Sequence, residues 1–212
     1  MPCTHKFVHD LYLENIDFQT TTLIIGTFNP AWENLGNAAE WFYGRTRNNY
    51  FWEVLPRLYG EHSLRLALPC DWKTFCKTHR IALTDLIASI DDADPTNPDH
   101  IDYFKNYRDD LLAKHFKEFR FVNLSSLLAQ HPTITQVYFT RSISDPYWRR
   151  LWQPVDDYCK KHEMEIKTIL TPSGGARFQI PKDEDISLGD FIFQQWQAKW
   201  HSIELKLIWK LH

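Results

Sequence analysis

Thr21-Thr22-Leu23-Ile24-Ile25-Gly26-Thr27-Phe28-Asn29-Pro30 is the stretch from which the fold of this chain is read. A short apolar and β-branched run closing on Gly and Pro predicts a buried core strand over Thr22–Gly26 that ends in a sharply turned loop. Three further runs carry the same signature: Ile81–Ile87, Ile134–Thr140 and Glu165–Leu170. Helical stretches are expected at Tyr50–Tyr59, Ile101–Phe116, Leu124–Gln130, Pro146–His162 and Leu188–Trp200. Strands that alternate with helices imply right-handed βαβ units. The expected fold is therefore α/β, with three layers and a central, mostly parallel four-stranded sheet. Asp91–Pro98 is expected as an exposed loop. The tail Ile203–Leu211 is expected as either an added strand or a docking segment.

Composition narrows the class. With 212 residues, 43% of them apolar, the chain can bury one sizeable core, and a single domain over 1–212 is expected. The net charge of −3 gives no global positive field, which argues against a non-specific coater of nucleic acid and leaves room for a local basic face. Nine tryptophans belong to the core by default, because aromatic rings carry large burial free energies. Cys3, Cys70, Cys76 and Cys159 are scattered with no CxxC spacing, and the ten histidines form no HxxxH-type cluster. No metal is expected. Reduced thiols, the lack of a signal peptide and the lack of an apolar run long enough for a membrane span together predict a cytoplasmic protein.

Open parallel sheets bind ligands at the carboxyl ends of their strands. Here those ends are Thr27–Pro30, Asp85–Ala88, Thr140–Ser142 and Thr171–Arg177. A second informative segment follows the first strand: Trp41-Phe42-Tyr43-Gly44-Arg45-Thr46-Arg47-Asn48-Asn49-Tyr50-Phe51-Trp52. Its mixture of arginines, asparagines and rings suits a planar base held next to phosphates.

These two segments, with Leu170-Thr171-Pro172-Ser173-Gly174-Gly175-Ala176-Arg177, resemble the uracil-DNA glycosylase superfamily. The similarity is greatest to the hypoxanthine (deoxyinosine) glycosylases and the mismatch-specific uracil/thymine glycosylases. In that family a Gly-x-x-Pro-like loop follows the first strand. A Tyr/Phe-x-His-Pro-x-Asn-x-Phe-Trp-like stretch opens the next helix, and a Pro-Ser loop follows the last core strand. In this chain Arg45-Thr46 stands where His-Pro is usual, and counting back from Phe51-Trp52 lands on Asn49. The resemblance implies a monofunctional DNA glycosylase without cofactor. Its partner would be DNA carrying a deaminated base, which makes it nucleoid-associated when bound.

What the resemblance implies for each residue stands beside a plainer reading. Asn49 would position the attacking water, with Asn29 as second choice, whereas Asn48-Asn49 read bare is a helix N-cap. In the Gly26-Thr27-Phe28 loop, Phe28 would lie against the flipped base or simply plug the loop. Tyr43 would form the opposite wall or pack. Gly26 and Gly44 allow tight backbone or close approach of a ligand. Arg45 and Arg47 would contact phosphates or fill the gap left by the base; alone they are solvated surface. Ser173, Gly174 and Arg177 would meet the DNA backbone, or form an ordinary turn. Asp85, the acid at a strand end, would steady an oxocarbenium ion or serve as a hydrogen-bonded structural group. Two other functions fit: a non-catalytic binder that keeps the fold, and a small-molecule hydrolase, which the absence of Gly-x-Ser-x-Gly makes weakest.

Overall fold

A computed structural model describes residues 2–32, 35, 39–44, 48–107 and 109–200. Its centre is β2 (Thr22–Gly26), all five residues of which are buried. On either side lie β3 (Ile81–Asp85) and β6 (Gln136–Phe139), and β7 (Glu165–Thr168) completes a four-stranded sheet in the order β3-β2-β6-β7. Every pairing in it is parallel, with Ile24 opposite both Leu83 and Tyr138.

Alternation along the strands divides the core in two. Leu23, Ile25, Val137 and Phe139 face one apolar cluster, and Ile24, Ile81, Leu83 and Tyr138 face the other. The first face is covered by α4 (Pro98–Lys105), α5 (Asp109–His115), α6 (Leu124–Gln130) and α7 (Pro146–Lys161), which contribute Phe104, Leu112, Leu127, Trp148 and Trp152. The second is covered by α2 (Phe51–Leu58), α3 (Pro69–Thr78) and α8 (Leu188–Gln197), through Phe51, Trp52, Trp72, Phe75 and Trp196. A short α1 (Val8–Leu11) precedes β2. The result is the expected three-layer arrangement. Each aliphatic side chain removed from water contributes about 1.5–3 kcal/mol to it.

Tryptophan is the main filler of this core. Trp41, Trp52 and Trp72 stack in series at 5.9 and 5.3 Å between ring centroids. Trp52, Trp72 and Trp196 donate their ring N–H to the carbonyls of Phe42, Leu64 and Leu170. Buried indoles satisfied in this way add burial without an unpaired polar atom.

Three expectations are corrected. The run Ile81–Ile87 is not one strand. It divides at Leu86, and β4 (Ile87–Ile90) leaves for a second, antiparallel sheet with β1 (Cys3–Thr4) and β5 (Phe119–Phe121). No Gly or Pro marks that division; the polar pair Thr84-Asp85 stands just before it, and apolar residues resume at once with Leu86 and Ile87. The stretch Ile101–Phe116 is two helices, separated where Tyr107 takes a left-handed φ of 51°. Helix α3 has no counterpart in the sequence reading. Its Pro start and the Leu68 N–H bond to Asp71 are sound helix-opening chemistry, but a polar face obscures the apolar stripe of Trp72, Phe75 and Cys76. Asp91–Asn97 is the expected loop, and Pro98 instead opens α4, capped by Asn97. The tail 203–211 lies outside the described residues.

Candidate active site

The carboxyl ends of β2, β3, β6 and β7 meet at one edge of the parallel sheet and line a cleft of about 550 Å³. Backbone bonds draw the two family-like patches together there. Tyr50 N–H donates to Pro172 O at 2.7 Å, Gly174 N–H donates to Asn48 O at 2.8 Å, and Asn49 pairs with Ser173 as an isolated antiparallel bridge. Segments more than a hundred residues apart in sequence thus form one wall.

Asp85 forms the deepest polar point. It is 1% exposed, and its Oδ2 accepts from His5 Nε2 at 2.8 Å and from Asn29 Nδ2 at 2.7 Å. A buried carboxylate needs such donors, since removing it from water uncompensated costs several kcal/mol. Phe7 N–H donates to His5 Nδ1, which puts the ring proton on Nε2, facing Asp85. His5 reaches this place because β1 pairs with β4, and His5 bridges Pro30.

Gly26 lies against this group. A Cβ added there would stand 2.2 Å from Asp85 Oδ1 and 2.6 Å from the Tyr43 hydroxyl. Tyr43 itself has φ 57°, a left-handed conformation that a bulky residue adopts only when its surroundings hold it. Its ring stacks on Phe51 at 3.9 Å and 4°, and its hydroxyl meets Thr140 Oγ1 at 2.9 Å. Because the Thr140 hydroxyl donates in turn to Ile25 O, the Tyr43 proton belongs to Thr140. Burial first, then the negative charge of Asp85, holds the Tyr43 hydroxyl well above the usual tyrosine range. Gly44 lets Trp72 press on the backbone, at 2.6 Å from a would-be Cβ.

The other expected residues fall as follows. Phe28 lines the cleft, 5% exposed and edge-on to His5 and Phe104, so one ring both plugs the loop and borders the cleft. Thr27 and Asn29 also line it. Asn49 lines it as well, 5% exposed, and its Oδ1 accepts from Phe51 N–H at 2.9 Å at the start of α2. This bond closes a turn one residue ahead of the helix N-cap, Tyr50, which has no side-chain cap of its own, and among the described residues the Asn49 amide Nδ2 makes no bond. Ser173 Oγ meets Thr171 Oγ1, and exposed Arg177 donates to Gly174 O in a 3-10 turn over Gly174–Gln179. Arg45 and Arg47 lie outside the described residues.

His5 is absent from the sequence reading of the site, and Thr140 and Arg141 enter it only as part of the strand end Thr140–Ser142. Arg141 belongs to the opposite wall, where it donates to Asp109 at 3.2 Å and lies 4.0 Å from the centre of the Trp148 ring, next to Asp110 and Asp145. No local pattern marks His5 or the three acids; only the fold brings them to the cleft. No helix among the described residues is long and apolar enough to cross a membrane.

No protein-family model and no curated protein sequence matches the chain. One solved structure does: a solution NMR structure from Methanosarcina acetivorans, provisionally described as a uracil DNA glycosylase. The match has a TM-score of 0.53 and 17% identity, and covers 86% of this chain and 90% of that one. At that identity the two share a fold.

Proposed function

We propose that this protein is a monofunctional DNA glycosylase that hydrolyses the N-glycosidic bond of a deaminated base, uracil or hypoxanthine, without a cofactor. The observation that carries the reading is the junction of the two family-like patches at one cleft, with aromatic rings and a carboxylate held by two N–H donors at its base. A cleft of about 550 Å³ falls in the range of roughly 300–1,000 Å³ usual for small-molecule sites.

The target nucleotide turns out of the helix into the cleft, between Phe28 and Tyr43. Stacking on such rings contributes on the order of 1–3 kcal/mol per base. Gly26 and Thr27 let the base approach the end of β2 closely. As the C1′–N bond lengthens, positive charge grows on the sugar and negative charge on the base, which leaves as a stabilised anion. Asn49 holds the attacking water, accepting from it and donating to it through the amide. Asn29 is the second candidate for that role. Ser173, Gly174 and Arg177, with Arg45 and Arg47, meet the flanking phosphates.

A second reading is a non-catalytic base-binding protein. It is favoured by the engagement of both asparagines, Asn49 with the α2 backbone and Asn29 with Asp85, and by the acidic wall of Asp109, Asp110 and Asp145. Alkali-induced strand cleavage on labelled oligonucleotides with uracil, hypoxanthine, xanthine or a G·T mismatch separates the two. Cleavage by wild type that collapses in Asn49→Ala supports the glycosylase. Binding without cleavage of any substrate supports the reader.

A further inference from the structure

A second cavity, of about 320 Å³, lies along the outer side of β3, between α3 and the chain around Asp10 and Asn15–Phe18. It shares no lining residue with the cleft. β3 is an outer strand of the parallel sheet and pairs there with β2 alone. Successive residues of a strand turn their N–H and C=O groups to opposite sides. Thr22 N–H donates to Arg80 O and Leu86 N–H donates to Gly26 O, so the even-numbered residues Ala82 and Thr84 face β2. Ile81 and Leu83 turn their backbone groups away from the sheet. Both are buried and both line the cavity. Among the described residues nothing bonds to these groups. A buried backbone group left unpaired costs about as much as a lost hydrogen bond, so an occupant that pairs with this edge is favoured for doing so.

The remaining lining narrows the kind of occupant. Ile16, Phe18, Trp41 and Cys76 make the walls apolar. The charges at the rim cancel in pairs, Lys73 with Asp10 at 3.3 Å and Lys77 with Asp17 at 2.7 Å. The Trp41 ring N–H is spent on Asp10. A neutral molecule therefore suits the cavity better than an ion. Apolar walls around a few backbone donors and acceptors, in a volume near the lower end of the roughly 300–1,000 Å³ usual for ligand sites, suit a small flat ring.

We propose that this cavity is a second binding site, taking a small neutral heterocycle whose ring lactam pairs with the free edge of β3. A lactam carries its C=O and N–H side by side, so one ring edge accepts from a backbone N–H and donates to a backbone C=O at once. Each such bond corresponds to roughly 2- to 12-fold in affinity, and an analogue that leaves a buried polar group unpaired loses more. The site does not rest on the base-excision reading of the cleft. Uracil and hypoxanthine belong to the class of ligand by their lactam edges.

The experiment follows backbone amides of the full-length protein by NMR. Without ligand, the Ile81 and Leu83 amides are expected to exchange with deuterium at least about 10-fold faster than those of Ala82 and Thr84, which bond to β2. Equal protection at all four means that the edge is already paired, and overturns the proposal. 2-Pyridone and uracil are then titrated, with N-methyl-2-pyridone and 1,3-dimethyluracil as partners that keep the ring and lose the lactam N–H. The two lactams are expected to shift the Ile81 or Leu83 amide signal saturably, on a curve fitted separately from those of Thr27 and Asn49 in the cleft. Methylation is expected to weaken binding at β3 at least about 10-fold. Equal binding of the methylated rings there, shifts confined to the cleft, or no shift with any probe overturns the proposal. No arm requires excision, so failure of the glycosylase reading leaves this site standing, and failure of this site leaves that reading untouched.

Discussion

Replacing Gly26 with alanine tests the geometry at the end of β2. The new methyl would stand 2.2 Å from Asp85 Oδ1 and 2.6 Å from the Tyr43 hydroxyl. Ordinary contact needs about 3.5 Å, so one or both neighbours must retreat by about 1 Å. If Asp85 moves, a bond of 2.7 or 2.8 Å passes out of hydrogen-bonding range, at a cost of about 1.5–3 kcal/mol for a charged acceptor. If Tyr43 moves, it leaves its stack on Phe51 and its bond to Thr140, at about 0.5–1.5 kcal/mol each. Alanine stiffens the unfolded chain and returns about 0.4–1 kcal/mol. The expected net destabilisation is about 1–3 kcal/mol. Urea unfolding should show a lower midpoint with an unchanged m-value, and excision should fall in step. A change within about 0.5 kcal/mol, the range of inert surface substitutions, together with full activity, would refute the claim that Gly26, Asp85 and Tyr43 share one crowded point.

Three further predictions concern other parts of the molecule. Asn49→Asp keeps an acceptor for Phe51 N–H and Asn49→Ala does not, so thermal melting should show alanine about 1 kcal/mol less stable, while both variants lose excision; an active aspartate variant would reduce Asn49 to a cap. Because the folded state holds the Tyr43 proton more tightly than the unfolded chain does, stability should fall as pH rises above about 10, and denaturant titration should find that fall shallower in Tyr43→Phe. At the acid end, burial raises the Asp10 carboxyl, but donors from Asn15, Trp41 and Lys73 outweigh it and hold the group below its usual range. Stability should therefore drop as pH falls through that depressed value, and acid unfolding of Trp41→Phe should show a smaller drop.

Legibility followed locality. β2, α6 and the start of α7 were readable because an apolar run or period there is closed by Gly, Asn or Asp-Pro. The turn of the chain at Leu86 was not, since no Gly or Pro marks it and apolar residues resume directly after Asp85. Asp85 was readable as an acid at a strand end, and the meeting of Asn49 with Ser173 followed from where strand ends lie in a parallel sheet. His5 was illegible: nothing near Cys3-Thr4-His5 foretells a partner eighty positions on. Asp109 was hidden for the same reason, whereas its partner Arg141 lay in the strand end Thr140–Ser142 already expected at the cleft.

The dependence of the cleft on β1 separates the durability of the site from that of the fold. The parallel sheet is buried on both faces, but the N-terminal arm is held by a two-residue strand and a few backbone bonds, His5 N–H to Ala88 O and Lys6 N–H to Asn29 O among them. Local openings of so lightly tethered a segment require far less free energy than global unfolding. Each opening withdraws the His5 donor and leaves Asp85 half-satisfied; it also takes the Pro2 carbonyl from the Trp32 ring N–H, while the Trp52–Trp72 stack stays in place. Loss of the site is then a sub-global event: as denaturant rises, the excision proposed for this cleft should disappear before far-UV circular dichroism reports unfolding of the sheet.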